Sequence, residues 1–530
     1  MMSNEALPKA EGLHYLWHLH GIGLLEEVER GKNSDKQTVF LPHQLWKPKE
    51  PLERVSRVAI IDNGCVRRHP NLAAGRIRFP IEFSRSMVGT VYRDPREPGD
   101  TGPDPDLALE KDRILAALAG CGLGDLAVKA EEEDDNRNKP SLALREAIRA
   151  VCEGNWPAFD IETTVQSPAE RFSPHGTACA GLVGADAEVE ETGDGQPANP
   201  WAIDYSGVNP LAEIIPITTV YNQDYWPIIM ALLYAVVREA DVILIPRAIE
   251  EMAAPEEDPD TSDPRHSRLL TDDTRYADFR LLRHVLRAVS DAIPVVVPAG
   301  NNGAGGIEFP AKFSNGEFPS LIVCGAVNNN GVRSAYSSTG ANDIIHAPSD
   351  DSQELTRDDT RYDEFSWRAR RLSMLPAQDG AIGNRYGAYG ILAIDVPGFY
   401  GYTVEGNNPI DYGEQRNPAE LDEQFDRADL RPRSLYAIFG GTSAASSIVA
   451  GVCSLVQKRA RAKLGGAAMK RLLIDASQEK MEPQIEVPIL TARKRTAAAP
   501  GGHDPEADRP GVLNAVTALE LLEKSQGEQP

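Results

Sequence analysis

Positive charge is in short supply in this chain: 55 Lys+Arg against 79 Asp+Glu leave a formal charge of −24 at pH 7. An acidic surface of that size repels phosphate backbones and anionic headgroups, so neither a nucleic-acid nor a membrane-surface role is expected. Cysteine is sparse too. The six (65, 121, 152, 179, 324 and 453) are scattered without close pairs or metal-ligand spacing, and they read as buried, reduced thiols. Long hydrophobic runs are missing. Nothing approaches the roughly eighteen consecutive apolar residues of a membrane span. Met1 to Leu25 lacks the basic start and apolar run of a secretory signal. No internal repeat is visible. These absences together lead us to expect a cytoplasmic location.

What is present suffices for a large core: 41% of the 530 residues are hydrophobic. A prior of about one domain per 150 residues would give three or four domains. Much of the length looks instead like loops inserted into one domain. Apolar runs with little polar alternation, as in strands buried on both faces, occur at Val55–Ile61, Glu213–Val220, Ala240–Ile245, Ala292–Val297 and Leu321–Val327. Helical patterns lie between or after them at Gly176–Val183, Trp226–Arg238, Tyr276–Ser290 and Ser443–Lys463. Strand–helix alternation of this kind predicts an α/β fold, a mainly parallel twisted sheet with helices on both faces. Four stretches break the pattern: 84–160, with two charged helical patterns around the acidic run Glu131–Asp135, then 250–275, 350–434 and 478–508. Their composition suits surface insertions into one domain.

Four local motifs carry candidate chemistry. The strand Val58-Ala59-Ile60-Ile61 runs into Asp62-Asn63-Gly64, followed by His69-Pro70-Asn71-Leu72. A carboxylate at the end of a buried parallel strand lies where open α/β sheets place their sites, although alone it reads as a turn aspartate. His175-Gly176-Thr177 opens a small-residue helix, and a lone histidine there is more often a cap or core residue. Val297-Pro298-Ala299-Gly300-Asn301-Asn302-Gly303 ends a buried strand in a Gly-rich bend, in isolation an ordinary turn. Gly440-Gly441-Thr442-Ser443 precedes a long apolar helix, where a serine is usually an N-cap.

Taken jointly, Asp, His, Asn and Ser in this order and these frames resemble the subtilisin-like serine peptidases, the subtilases. The likeness extends to Gly207-Val208-Asn209-Pro210, to Phe309-Pro310-Ala311-Lys312-Phe313, to Val323–Val327 with Tyr336-Ser337-Ser338, and to Arg509–Ala515. Cys65 and the missing signal resemble the intracellular type. The resemblance implies one catalytic domain over 51–523, with insertions at about 84–160, 250–275, 350–434 and 478–508, an N-terminal segment 1–50 and a tail 524–530. The separation of 113 positions from Asp62 to His175 fits such an expansion.

It also implies a serine endopeptidase acting on protein or peptide substrates. Ser443 would be the nucleophile, His175 the base, Asp62 its orienting carboxylate and Asn301 the oxyanion donor. The substrate-binding candidates are Pro246, Arg247 and Ala248, in place of the family's usual Ser-Leu-Gly strand, and Glu308, near the floor of the primary specificity pocket. A carboxylate there would pair with Arg or Lys before the cleaved bond, unless Arg247 neutralised it. Ala444 and Ser447 depart from the family's usual Met and Pro in the nucleophile helix. Asn71 replaces a common calcium-ligating aspartate, so no cofactor or metal is expected, while the acidic loops leave weak calcium sites open. A regulatory protein partner for the insertions is likewise left open. The alternative from a different class is a binding or scaffold module that keeps the fold, supported by the altered Pro246–Ala248 strand.

Overall fold

The computed structural model describes residues 16–30, 37–47, 54–66, 69–72, 74–87, 89–93, 109–131, 139–156, 160–163, 173–187, 205–220, 224–252, 273–303, 306–329, 331–334, 336–341, 343–350, 391–396, 401–402, 435–482 and 509–527. Most of the 350–434 insertion, much of 250–275 and 478–508, and the first and last residues of the chain lie outside them.

The strands, in chain order, are β1 (Leu25–Arg30), β2 (Gln37–Pro42), β3 (Arg57–Asp62), β4 (Ile81–Glu82), β5 (Thr90–Arg93), β6 (Asp160–Thr163), β7 (Glu213–Thr218), β8 (Val242–Leu244), β9 (Val295–Pro298), β10 (Ile322–Val327), β11 (Ile344–Pro348), β12 (Ile391–Ile394) and β13 (Tyr436–Phe439). Nine of them form one sheet in the order β11-β10-β9-β8-β3-β7-β4-β5-β6. Every neighbouring pair is parallel except β4 with β5. β1–β2 and β12–β13 are separate antiparallel pairs.

The helices are α1 (Trp17–Gly21), α2 (Lys111–Gly120), α3 (Leu126–Glu131), α4 (Leu142–Cys152), α5 (Pro174–Gly184), α6 (Trp226–Val237), α7 (Asp273–Ala292), α8 (Gly441–Arg459), α9 (Gly466–Asp475) and α10 (Ala515–Gly527). None is long and apolar enough to cross a membrane among the described residues.

Side chains of a strand point alternately to opposite faces, and the central strand β3 uses both. Val58 and Ile60 enter a core shared with α5, α8 and α10. Ala59 and Ile61 enter a second core shared with α6 and α7. Burial on both faces explains why β3, β7, β9 and β10 read as unbroken apolar runs.

The segment expected as the 84–160 insertion builds real structure. β5 and β6 extend the sheet, and α2, α3 and α4 add Ile114, Leu118, Leu126, Leu144, Ile148 and Val151 to the second core. The two helical patterns of the sequence become three helices because the first stops at Cys121-Gly122. Gly122 takes φ +70°, a left-handed conformation that ends a helix at little cost only for glycine.

Candidate active site

Two of the site's four segments leave the carboxyl ends of the central strands β3 and β9, which flank β8, and two arrive on helices from the face of the first core. Asp62 is the last residue of β3, Asn301 follows β9, His175 lies in the first turn of α5, and Ser443 in the first turn of α8. In parallel sheets the carboxyl ends leave a crevice where strand tips diverge, so this is where side chains from distant segments can meet.

The Asp62 loop is stitched to α5. Asn63 Oδ1 accepts the N–H of Gly176 at 3.2 Å, and Thr177 Oγ1 accepts the N–H of Val66 at 2.9 Å. Gly176 lies so close to the Gly64 carbonyl that a Cβ there would come within 1.9 Å of the oxygen. The His-Gly-Thr sequence therefore has a local meaning: glycine permits the approach, threonine ties it, and histidine is delivered to the aspartate. His175 Nδ1 stands 2.5 Å from Asp62 Oδ2, and Asp62 Oδ1 accepts the N–H of Asn63 at 2.8 Å. The carboxylate is 1% exposed and the imidazole 20%, so the charge is held inside while the ring keeps one edge toward solvent. Phe439 packs edge-on against the ring at 5.4 Å, and Tyr402 lies on Phe439 at 6.0 Å.

On the Asn301 side, Oδ1 accepts the N–H of Thr442 at 2.9 Å and its hydroxyl at 2.8 Å. A backbone N–H can only donate, so the atom facing it must be the amide oxygen. This orientation leaves Nδ2 without a bonded acceptor among the described residues. Gly441 has φ +73°, and a Cβ on it would meet Nδ2 at 3.1 Å. Glycine is therefore required immediately beside the amide.

Ser443 is 8% exposed, and its hydroxyl donates to the carbonyl of Pro246 at 2.8 Å. No hydrogen bond joins it to His175 among the described residues. The expected pairing of nucleophile and base is thus not formed in this state. In α8, the hydroxyls of Ser446 and Ser447 both return to the Ser443 carbonyl, at 2.9 and 2.8 Å. Ala444 and Ser447 are fully buried, so the helix packs with these residues in place.

The substrate-strand candidates part company. β8 ends at Leu244, before Pro246, whose carbonyl accepts the Ser443 hydroxyl. Arg247 is buried and donates to the Val220 carbonyl at 3.1 Å and to Thr219 Oγ1. Ala248 and Glu308 are exposed. The Glu308 carboxylate runs beside the backbone of Gly300: Oε2 would be 3.0 Å from a Cβ there. No ion pair joins it to Arg247 among the described residues.

Asp62, His175 and Cys179 form the one group of three metal-capable side chains found among the described residues, with donor atoms within 4.8 Å. The 2.5 Å contact between two of them is a hydrogen-bond distance and leaves no room for an ion between them. The Cys179 thiol is pushed well above its ordinary range, first by burial and then by the Asp62 charge. It therefore stays a protonated thiol beside the dyad. Asn71 is committed to protein partners: its Nδ2 donates to the Asp186 carbonyl at 3.1 Å, and its Oδ1 accepts from the Tyr436 hydroxyl.

Sequence reasoning missed Ser349 and Asp350, and it valued Thr442 and Tyr336 only as parts of motifs. The available signal was the polar Ser349-Asp350 pair directly after the apolar strand β11.

A family model described as the subtilase family matches residues 54–497. Comparison with curated proteins gives no match. Among solved structures, a protease from Pseudoalteromonas arctica is similar at 14% identity and TM-score 0.38, covering 88% of this chain and 90% of that one. The nisin leader peptidase from Lactococcus lactis is similar at 15% identity and TM-score 0.41, covering 89% and 88% respectively. The epidermin leader peptide processing serine protease from Staphylococcus aureus is similar at 13% identity and TM-score 0.42, covering 90% and 76%.

Proposed function

The chain belongs to the subtilase family, whose members act on proteins or peptides, and from that premise we propose that it is a serine endopeptidase using Asp62, His175, Ser443 and Asn301. We also read residues 51–523 as one catalytic domain carrying insertions. The observation that carries the proposal is the 2.5 Å contact of His175 Nδ1 with a buried Asp62.

A serine hydroxyl is a poor nucleophile at neutral pH and needs a base. Ser443 Oγ exchanges the Pro246 carbonyl for His175 Nε2 and attacks the substrate carbonyl carbon. Its proton passes to Nε2, while Nδ1–H remains hydrogen-bonded to Asp62, which stabilises the imidazolium. The negative charge that develops on the carbonyl oxygen is met by Asn301 Nδ2 and the Ser443 N–H, with the N-terminus of α8 behind them. Collapse of the tetrahedral intermediate breaks the C–N bond and sends the proton from Nε2 to the leaving amine. Water then repeats the sequence on the acyl-enzyme, releasing the second product and restoring Ser443. Once Ser443 has turned away, the Pro246 carbonyl is free to accept a backbone N–H from substrate.

The test is turnover of a mixed peptide library by purified variants. Ser443→Ala and His175→Ala are expected to abolish cleavage. Asn301→Ala is expected to lower kcat by about 10²–10³ with little change in KM, the magnitude known for this donor in subtilisin itself. Full activity in Ser443→Ala would sink the proposal.

One observation favours a second reading, a non-catalytic binding module: the nucleophile's proton is given to Pro246 rather than to His175. That reading expects wild type to bind peptides without cleaving them.

A further inference from the structure

Tyr336 stands between the two halves of the oxyanion site. Its backbone carbonyl accepts the N–H of Gly303 at 2.7 Å, two residues past Asn301. Nearby, Ser338 donates its N–H to the Gly300 carbonyl at 3.0 Å, and its Oγ accepts the N–H of Asn302 at 3.1 Å. The segment around Tyr336 thus braces the Asn301 bend on both sides.

The phenol of the same residue reaches the other half. It accepts the N–H of Gly441 at 3.0 Å, and it lies 2.8 Å from Ser349 Oγ and 2.9 Å from Asp350 Oδ1. The Gly441 N–H is shared with Asp350 Oδ1 at 3.2 Å, and the Gly441 carbonyl accepts the Ser349 hydroxyl at 2.8 Å. The peptide groups on both sides of Gly441 are therefore held, two residues before the nucleophile. Asp350 presses so closely on Gly440 that a Cβ there would come within 1.9 Å of its Oδ1.

All three side chains are buried. Burying two hydroxyls and a carboxyl group is costly unless their hydrogen bonds are made, and these bonds converge on the loop that leads to Ser443. That loop carries two consecutive glycines, the residues with most conformational freedom to lose, and it needs an outside hold to keep one shape.

We propose that Tyr336, Ser349 and Asp350 are positioning residues that set the spacing between the Asn301 amide and the Ser443 N–H. The inference rests on the reading above that these two groups receive the oxyanion. The three side chains act through the loop and do not touch substrate. The geometry matters because the oxyanion donors must suit the tetrahedral intermediate rather than the planar substrate, and a displacement near 1 Å is costly to the rate.

The experiment compares wild type with Tyr336→Phe, Ser349→Ala, Asp350→Ala and Asp350→Asn, all counted per titrated active site. The expected result for Tyr336→Phe, Ser349→Ala and Asp350→Ala is a kcat lower by roughly 10- to 100-fold with KM changed less than about twofold. Affinity for a peptidyl boronic acid, which mimics the tetrahedral state, is expected to fall by a similar factor. Affinity for the matching product peptide stays the same. Asp350→Asn keeps an acceptor oxygen and recovers most of the rate lost in Asp350→Ala. A merely structural role would lower melting temperature or the fraction of active sites while leaving per-site kcat and boronic-acid affinity at wild-type values, and that result overturns the proposal. Wild type inert toward both substrate and boronic acid overturns the peptidase reading and this inference together, whereas an active wild type with unchanged variants overturns this inference alone.

Discussion

Glu308 shows how placement decides the strength of a single charge. Its carboxylate runs beside the backbone of Gly300, next to Asn301, and it is exposed rather than buried. Arg247, the cation that could have neutralised it, spends its guanidinium on Val220 and Thr219 instead. An exposed carboxylate is screened by water, so its preference for a basic substrate side chain is smaller than a desolvated pair would give. On the order of 1 kcal/mol is expected, a factor of about five to ten. Profiling cleavage of a peptide library should reveal Arg or Lys favoured before the cleaved bond in wild type, and Glu308→Gln should erase that preference. A wild-type preference for Leu or Phe removes Glu308 from the pocket.

At the scale of elements, the stitching of the Asp62 loop to α5 is the most sensitive joint. Gly176→Ala would drive a Cβ into the Gly64 carbonyl, and backbone cannot swing aside as a side chain can. The helix start must retreat, carrying His175 from Asp62. Overpacking of this kind costs about 1–3 kcal/mol. Chemical denaturation should register that loss, and per-site kcat should fall by more than tenfold; wild-type values in both would contradict the account of the joint. The central strands and α5, α6 and α8 were legible because their residues are buried on both faces or along nearly their whole length, which leaves continuous apolar runs such as Val295-Val296-Val297. Helix α7 was legible because its buried residues recur with a helical period between exposed Arg280, Arg287 and Asp291. Asp62, His175, Asn301 and Ser443 could be singled out as candidates because each stands at a recognisable end of a strand or helix. The Tyr336–Ser349–Asp350 bracket was not, since a Ser-Asp pair after a strand looks like any turn until the loop it holds is seen beside it. Nor could sequence say that the Ser443 hydroxyl would rest on Pro246, because that depends on a single side-chain rotation.

For the molecule as a whole, two buried histidines make stability depend on acid. Burial lowers His18 from 6.5 to about 3 and His69 from 6.5 to about 4, in the latter case against the opposing hydrogen bond to the Leu435 carbonyl. Between about pH 6.5 and 4 the unfolded chain takes up protons at these sites and the native chain does not. Stability from this source is present above pH 6.5 and is lost as pH falls through the window, by up to about 1.4 kcal/mol per pH unit for each group. His18 also leaves both ring nitrogens unbonded among the described residues, which makes its burial costly in its own right. His18→Leu is therefore expected to raise the melting temperature at pH 7 and to flatten its decline from pH 6.5 to 4. An unchanged slope would contradict the assignment. The central claim, that four distant segments assemble one working nucleophile, is tested most directly by covalent capture. A fluorophosphonate incubated with the native protein and located by peptide mass spectrometry should modify Ser443 in wild type, and the modification should disappear in His175→Ala. Absence of modification at Ser443 in folded wild type, or equal labelling in His175→Ala, would contradict it.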